Sequence, residues 1–299
     1  MKLDKQIVVL NDDLREEPFA AEFVKKFKKC GIDYRVKTCK CEDDHIKYGQ
    51  DADIIFNQGA TKITRKIIEN LPNLKVIIRR GAGYDNVDVE AAREKGIIVC
   101  NTPGFCAEEV ATQAIALLLA FIRRIPYWHN WTRAGKWNKG EYSFMVEPPF
   151  AGLDTLEGED VGIVGFGFIG KNIYKKLIGF DVNFYVYDKY IKVDRSYNVK
   201  QVELEELLKN CRYIILCCPL TSETKYMIDD AQLKIMRNDA VIVNVGRGAL
   251  INEAVLIKYL QEKKIAGAAL DVFEETPVNK DSMLLKLDNV VISPHNGGM

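Results

Sequence analysis

Arg247 stands between two glycines in NVGRGALINE (244–253), and His295 follows a proline ahead of two glycines in SPHNGGM (293–299). A guanidinium held at such a turn offers a planar fork that matches a carboxylate. An imidazole there, poorly placed for core packing, is a group that gives or takes a proton near neutral pH. The plain alternatives are a surface arginine beside a turn and a solvated loop histidine. In RRGAGYDNVDVEAAREKGIIVCNTPG (79–104), Gly81 and Gly83 close a strand. Backbone amides there can hold a carboxylate, or a turn can simply require positive φ. The densest signal is VGIVGFGFIG (161–170), where a β-branched run enters Gly165-x-Gly167-x-x-Gly170 and the next apolar run, NFYVYD, ends on Asp188. The first glycine permits a tight turn, the second lets backbone approach a pyrophosphate, and the third lets helix pack on strand. A helix N-terminus after them turns free N–H groups and a positive dipole end toward phosphates. Asp188 is placed to accept hydrogen bonds from ribose hydroxyls. Strand, glycine turn, helix and acid together read as a dinucleotide site.

Holding these groups requires an alternation of short strands and helices. The first third reads as strands at 6–10, 34–38, 52–57, 75–80 and 96–101, with helices such as 18–29 and 64–71 between them. A long helix, 107–124, follows, opened by Glu108 and Glu109. Its apolar residues occupy more than one face, so burial is expected, with a partner subunit as one cover. The stretch 127–150 is rich in aromatics and proline; Trp128, Trp131, Trp137 and Phe144 suit either an apolar pocket or core and interface packing. Beyond Asp188 come strands at 212–218, 240–245, 266–272 and 289–293 and helices at 203–210, 229–236 and 252–263. The pattern is that of an α/β chain with two doubly wound parallel-sheet domains. Breaks near Thr102-Pro103 and Ser293-Pro294 divide it into 1–103 and 104–292, with 293–299 a candidate to rejoin the first domain.

Composition removes several classes. The 299 residues carry 42 Lys+Arg and 42 Asp+Glu, so no broad field draws nucleic acid or an anionic membrane. The longest apolar run, 114–122, is far short of the roughly 20 residues that span a bilayer. Eight cysteines without a Cys-x-x-Cys pair, and a charged lead into the first strand without a signal peptide's apolar core, point to a reduced, cytoplasmic protein without a metal centre. Cys39-x-Cys41 and Cys217-Cys218 read most simply as small apolar residues at strand ends.

The ordered set RRGAGYDNVDVEAA, GxGxxG with Asp188, PLTSET, NVGRG, AGAALDVFEE and SPH resembles the D-isomer-specific 2-hydroxyacid dehydrogenases over essentially the whole chain. The string YDNVDVEAAREKGIIVCNTPGFCAEEVA is similar to the branch of phosphoglycerate dehydrogenases and C-terminal-binding-protein corepressors. The resemblance implies a flavodoxin-like substrate domain, an inserted Rossmann domain that binds NAD, and a homodimer formed through the helix at 107–124. It implies that Arg247 pairs with a small 2-oxo acid's carboxylate and carbonyl oxygen, and that His295 is the general acid/base. It also implies that Asp271 holds the nicotinamide carboxamide, that the backbone around Ala82 and Gly83 meets substrate, and that Phe168 and Ile169 meet the pyrophosphate. Cys218 and Pro219 then line the adenosine side, and Val245 and Gly246 lie under the nicotinamide.

The chain departs from the family pattern in three internal places and also stops four residues past His295. The family's glutamate partner of the histidine lies five residues after the LDV aspartate, where this chain has Thr276; Glu275, one place earlier, is the candidate stand-in. Gln58-Gly59 replaces an Arg/Ser pair after the third strand, and Asn296 replaces an apolar residue after the histidine. The expected activity is hydride transfer between NAD(H) and a small 2-hydroxy or 2-oxo acid. The alternative, drawn from Thr276 and a chain that ends soon after His295, is a catalytically weakened NAD(H)-binding regulator or scaffold.

Overall fold

The computed structural model describes residues 7–12, 20–58, 61–137 and 153–299; Gly59 and Phe144 lie outside them. The chain divides into two units, Met1–Phe105 and Cys106–Met299.

In the first unit, apolar runs bounded by polar turns form β1 (Ile7–Asn11), β2 (Ile32–Val36), β3 (Ile54–Asn57), β4 (Val76–Arg79) and β5 (Ile98–Cys100). The connections carry α1 (Ala20–Lys29), α2 (Glu42–Gly49), α3 (Arg65–Glu69) and α4 (Val89–Glu94). The strands pair in parallel in the order β2-β1-β3-β4-β5, the flavodoxin-like order. Ile55, Ile63, Ile67, Ile68 and Ile77 are buried beneath the helices on one face of this sheet. Asp88 caps α4, its carboxylate accepting the Ala91 N–H.

The second unit opens with α5 (Ala107–Ile122) and α6 (Ile125–Arg133). Seven parallel strands follow: β6 (Asp160–Val164), β7 (Asn183–Tyr187), β8 (Lys200–Gln201), β9 (Tyr213–Leu216), β10 (Val241–Asn244), β11 (Gly267–Leu270) and β12 (Val290–Ile292). Their order is β12-β11-β10-β9-β6-β7-β8, so the direction of winding reverses at β6. Strands β9, β10 and β11 are buried at every position, which is why they read as unbroken apolar runs. One face is covered by α5 and α7 (Phe168–Leu177), the other by α8 (Leu204–Asn210), α9 (Asp230–Ile235) and α10 (Glu253–Gln261).

The helix expected at 107–124 ends at Ile122, because Arg124 takes a left-handed φ of 50° and the chain bends by 62° into α6, with Pro126 in its first turn. Its apolar faces are explained within the unit, where Val110, Ala114, Leu117, Leu118 and Ile122 are buried and the helix packs on α7 and on β10–β12. Helix α6, absent from the sequence reading, buries none of its residues. Residues 293–299 group with the second unit and not with 1–103. The physical reason is the buried Asp271 carboxylate, which accepts the N–H groups of Asn296 and Gly297. Among the described residues, no single helix is long and apolar enough to cross a membrane.

Candidate active site

In a parallel sheet all carboxyl ends lie along one edge, and ligands bind there beside the strand at which winding reverses. Strand β6 is that strand, and the glycine turn follows it directly. Gly165 has φ +96°, and a Cβ on it would lie 2.9 Å from the backbone N and Cα of Cys218 at the end of β9. No L side chain fits there at acceptable strain. Gly167, the N-cap of α7, has nothing within 4 Å of where its Cβ would stand. The first-turn amides of α7, with Phe168 64% exposed, thus face open space suited to a pyrophosphate.

At the end of β7, Asp188 Oδ2 accepts the Phe166 N–H at 2.7 Å, and Oδ1 accepts those of Tyr190 and Ile191, both at 2.9 Å. A carboxylate has about four acceptor directions, so one remains on Oδ2 for a ribose hydroxyl. The residues present therefore fit a dinucleotide. Cys217 Sγ donates to the Gly165 carbonyl at 3.1 Å; burial pushes the Cys218 thiol up to about 12 and Cys217 well above its ordinary value. Both thiols are protonated at neutral pH and pack beneath the glycine turn. Pro219 is exposed, and its carbonyl accepts the Thr224 hydroxyl at 2.7 Å.

Arg247 follows β10. Its turn is organised by Asn244, 1% exposed, whose Oδ1 accepts the Gly246 N–H at 3.1 Å and whose Nδ2 donates to the Arg247 carbonyl at 2.9 Å. Val245 is buried beneath the turn, and Arg247 Nη1 donates to the Gly246 carbonyl at 2.9 Å. Gly248 lies so near the next strand's exit that a Cβ would stand 1.9 Å from the Phe273 carbonyl carbon and oxygen. Gly248→Ala is expected to destabilise the protein by about 3 kcal/mol, lowering the thermal midpoint by roughly 6–12 °C. An unchanged melting curve by circular dichroism would show that this approach is not needed.

Asp271, 2% exposed, ends β11, and His295 follows β12 with a φ of +55°. Arg247, Asp271 and His295 thus leave the carboxyl ends of three adjacent strands, β10, β11 and β12. Glu275 and Thr276 are exposed in the loop beyond Asp271. That loop is tied to α10 by Glu274, whose N–H donates to Glu253 at 3.0 Å and whose carboxylate accepts the Tyr226 hydroxyl. Ala82 and Gly83 belong to the first unit, just past β4, where the Asn101 side chain donates to the Ala82 carbonyl at 2.8 Å.

Sequence reasoning missed the polar groups behind these residues. Besides Asn244, a polar chain runs His45–Asp12–Asn57–Asn86–Arg79 at 3.1, 2.5, 2.7 and 3.1 Å, buried at its first three members and half-buried at Asn86 and Arg79, ending beside the strand exit that carries Ala82. The available signal was a polar residue closing an apolar strand: Asn11, followed by Asp12, at the end of β1, Asn57 at the end of β3 and Asn244 at the end of β10.

A doubly wound unit with a glycine turn at the strand where winding reverses, and with an arginine and a histidine on its carboxyl edge, has the architecture of a nucleotide-binding domain. Residues 115–297 match the family described as D-isomer specific 2-hydroxyacid dehydrogenase, NAD binding domain. This chain belongs to that family. It is 39% identical over 284 residues to D-3-phosphoglycerate dehydrogenase of Methanocaldococcus jannaschii, covering 94% of this chain and 52% of that protein. It is 41% identical over 250 residues to glyoxylate reductase of Thermococcus litoralis, covering 83% of this chain and 75% of that one. The chain thus spans about half of the first relative and three quarters of the second. The solved NAD-dependent formate dehydrogenase of Staphylococcus aureus in complex with NAD superposes with a TM-score of 0.84 at 28% identity, covering 99% of this chain and 89% of that one.

Proposed function

We propose that this protein reduces a small 2-oxo acid to the 2-hydroxy acid with NADH and a proton. The observation that carries the reading is the placement of Arg247 and His295 at the exits of β10 and β12, on the edge that bears the glycine turn. Bound NADH supplies the hydride. Arg247 clamps the substrate carboxylate and polarises the carbonyl oxygen, where a cationic donor is worth most as negative charge develops. His295, protonated, delivers the proton to that oxygen. Asp271 orients the nicotinamide, Val245 and Gly246 lie beneath it, and Phe168 and Ile169 hold the pyrophosphate. Cys218 and Pro219 border the adenosine. The first unit is the substrate domain, Ala82 and Gly83 offering backbone groups to the carboxylate, and Glu275 is the nearest carboxylate in sequence to the position of Thr276. Two copies associate through the segment expected at 107–124 and its continuation into α6, on which Ile125 and Tyr127 are 56% and 38% exposed. Eight free cysteines suit a reducing cytoplasm.

NADH oxidation across a panel of 2-oxo acids, beginning with glyoxylate and run beside a binding titration, tests the reading. Turnover with at least one small 2-oxo acid is expected. Tight NADH binding without turnover on any of them would establish a regulator instead. For the assembly, sedimentation is expected to show a dimer that Ile125→Asp with Tyr127→Asp converts to a monomer; a wild-type monomer at micromolar concentration would refute it.

A further inference from the structure

His295 sits in a conformation that L residues seldom adopt, since a positive φ brings Cβ against the backbone carbonyl. Such a conformation persists only where its surroundings impose it. Here the constraints flank the histidine on both sides and converge on one carboxylate. The Ser293 hydroxyl donates to Asp271 Oδ1 at 2.6 Å, the Asn296 N–H donates to the same oxygen at 3.2 Å, and the Gly297 N–H donates to Oδ2 at 3.0 Å. Pro294 has no N–H to offer, and residues 293, 296 and 297 supply these three bonds. From the other side, Gln113 on α5 donates Nε2 to Ser293 Oγ at 2.9 Å and to Asn296 Oδ1 at 3.3 Å. A Cβ on Gly297 would stand 2.8 Å from Asp271 Oδ2 and 3.3 Å from Gln113 Cβ and Cγ, so this small residue is matched to the same assembly. Gln113 directly precedes the apolar run Ala114–Ile122 of α5, and Asn296, an unexplained departure in the sequence, is its acceptor.

We propose that Gln113, Ser293 and Asn296, gathered on Asp271, form a polar clip that fixes the orientation of His295, and that Gln113 is a positioning residue for proton delivery. The proposal rests on the reading of His295 as general acid. In this arrangement the histidine is aimed through its own backbone, from a rigid helix and a buried carboxylate. Asp271 therefore serves the histidine loop in addition to the nicotinamide. Without Gln113, Ser293 loses the group that sets its hydroxyl and Asn296 loses its side-chain anchor. The loop is then free to relax toward negative φ and carry the imidazole off line. A misplacement of about 1 Å at a reacting group can cost on the order of 10²-fold in rate; a loosened clip, which still samples the aligned state, is expected to cost about tenfold.

The test is a set of variants assayed with the best 2-oxo acid of the panel. Gln113→Ala and Ser293→Ala are each expected to lower kcat about tenfold while KM and the Kd for NADH stay within about twofold. The double variant is expected to be no slower than either single one, because both break one clip. Ser293→Thr keeps the hydroxyl and is expected to retain wild-type kcat, which loss of packing alone would not predict. Wild-type kcat in both alanine variants, with His295→Ala inactive, would overturn the clip and leave the functional reading intact. A Gln113→Ala protein that loses NADH binding in parallel with kcat would also overturn it, as would multiplicative losses in the double variant. Full turnover in His295→Ala would overturn the functional reading, and the clip with it.

Discussion

Arg247→Ala is expected to lower kcat/KM for 2-oxo acid reduction by on the order of 10²-fold or more, about 2.7 kcal/mol of transition-state stabilisation, while NADH binds as before. The separation follows from where the side chain stands. In the proposed reading the dinucleotide would be held by backbone groups at the exit of β6 and by Asp188 after β7, whereas Arg247 leaves β10. Its turn is set by Asn244, which satisfies the Gly246 N–H and the Arg247 carbonyl without using the guanidinium. Truncation removes the cation together with its Nη1 bond to the Gly246 carbonyl, and leaves the two Asn244 bonds that set the turn. Lysine is expected to restore only part of the rate, since a point charge lacks the planar fork that engages two oxygens at once. Fluorescence titration with NADH and steady-state kinetics on the same preparations decide the matter. An unchanged kcat/KM in the alanine variant would make Arg247 a structural residue.

The Kd for NADPH is expected to exceed that for NADH by about 30- to 150-fold, equivalent to roughly 2–3 kcal/mol from charge repulsion and a lost hydrogen bond. Three backbone N–H groups hold the Asp188 carboxylate, so it cannot swing aside to admit a 2′-phosphate. Lys189 is the neighbouring cation that would soften the discrimination, and it is engaged by Glu223 at 2.8 Å, on a carboxylate that also accepts the Tyr190 hydroxyl. That ion pair is exposed and therefore weak. Glu223→Gln is accordingly expected to narrow the NADH preference by no more than about fivefold, and Asp188→Ala to remove most of it. Equal affinities of the wild-type protein for the two cofactors would sink the assignment of Asp188.

How much of this was legible beforehand depends on the range of the interaction concerned. Apolar runs such as Tyr213–Leu216 and Val241–Asn244 declare buried parallel strands, because a strand covered on both faces has no polar side to show. The turn at Gly165 and the acid at Asp188 are equally local: each is a requirement of a strand exit, visible within a few residues of chain. Arg247 and His295 could be singled out for the same reason, as chemistry placed at the ends of such runs, whereas Asp271 was implied only by the family resemblance. The bend at Arg124 and the helix after it escaped notice, because an aromatic, proline-containing stretch carries no periodicity that separates helix from loop.

The tertiary structure alone decided what holds these residues. Gln113 is 180 residues from Ser293 in the chain, Asp12 is 33 from His45 and 45 from Asn57, and no pattern of spacing joins them. The place of residues 293–299, in the sequence only a candidate to rejoin the first domain, has a related basis: two amides and a hydroxyl meet the buried Asp271 carboxylate that follows the adjacent strand. Local propensity and burial are written along the chain, where neighbours are fixed by covalent bonds. A buried polar group must find its partners wherever folding places them, so its partners appear only once the strands are laid side by side.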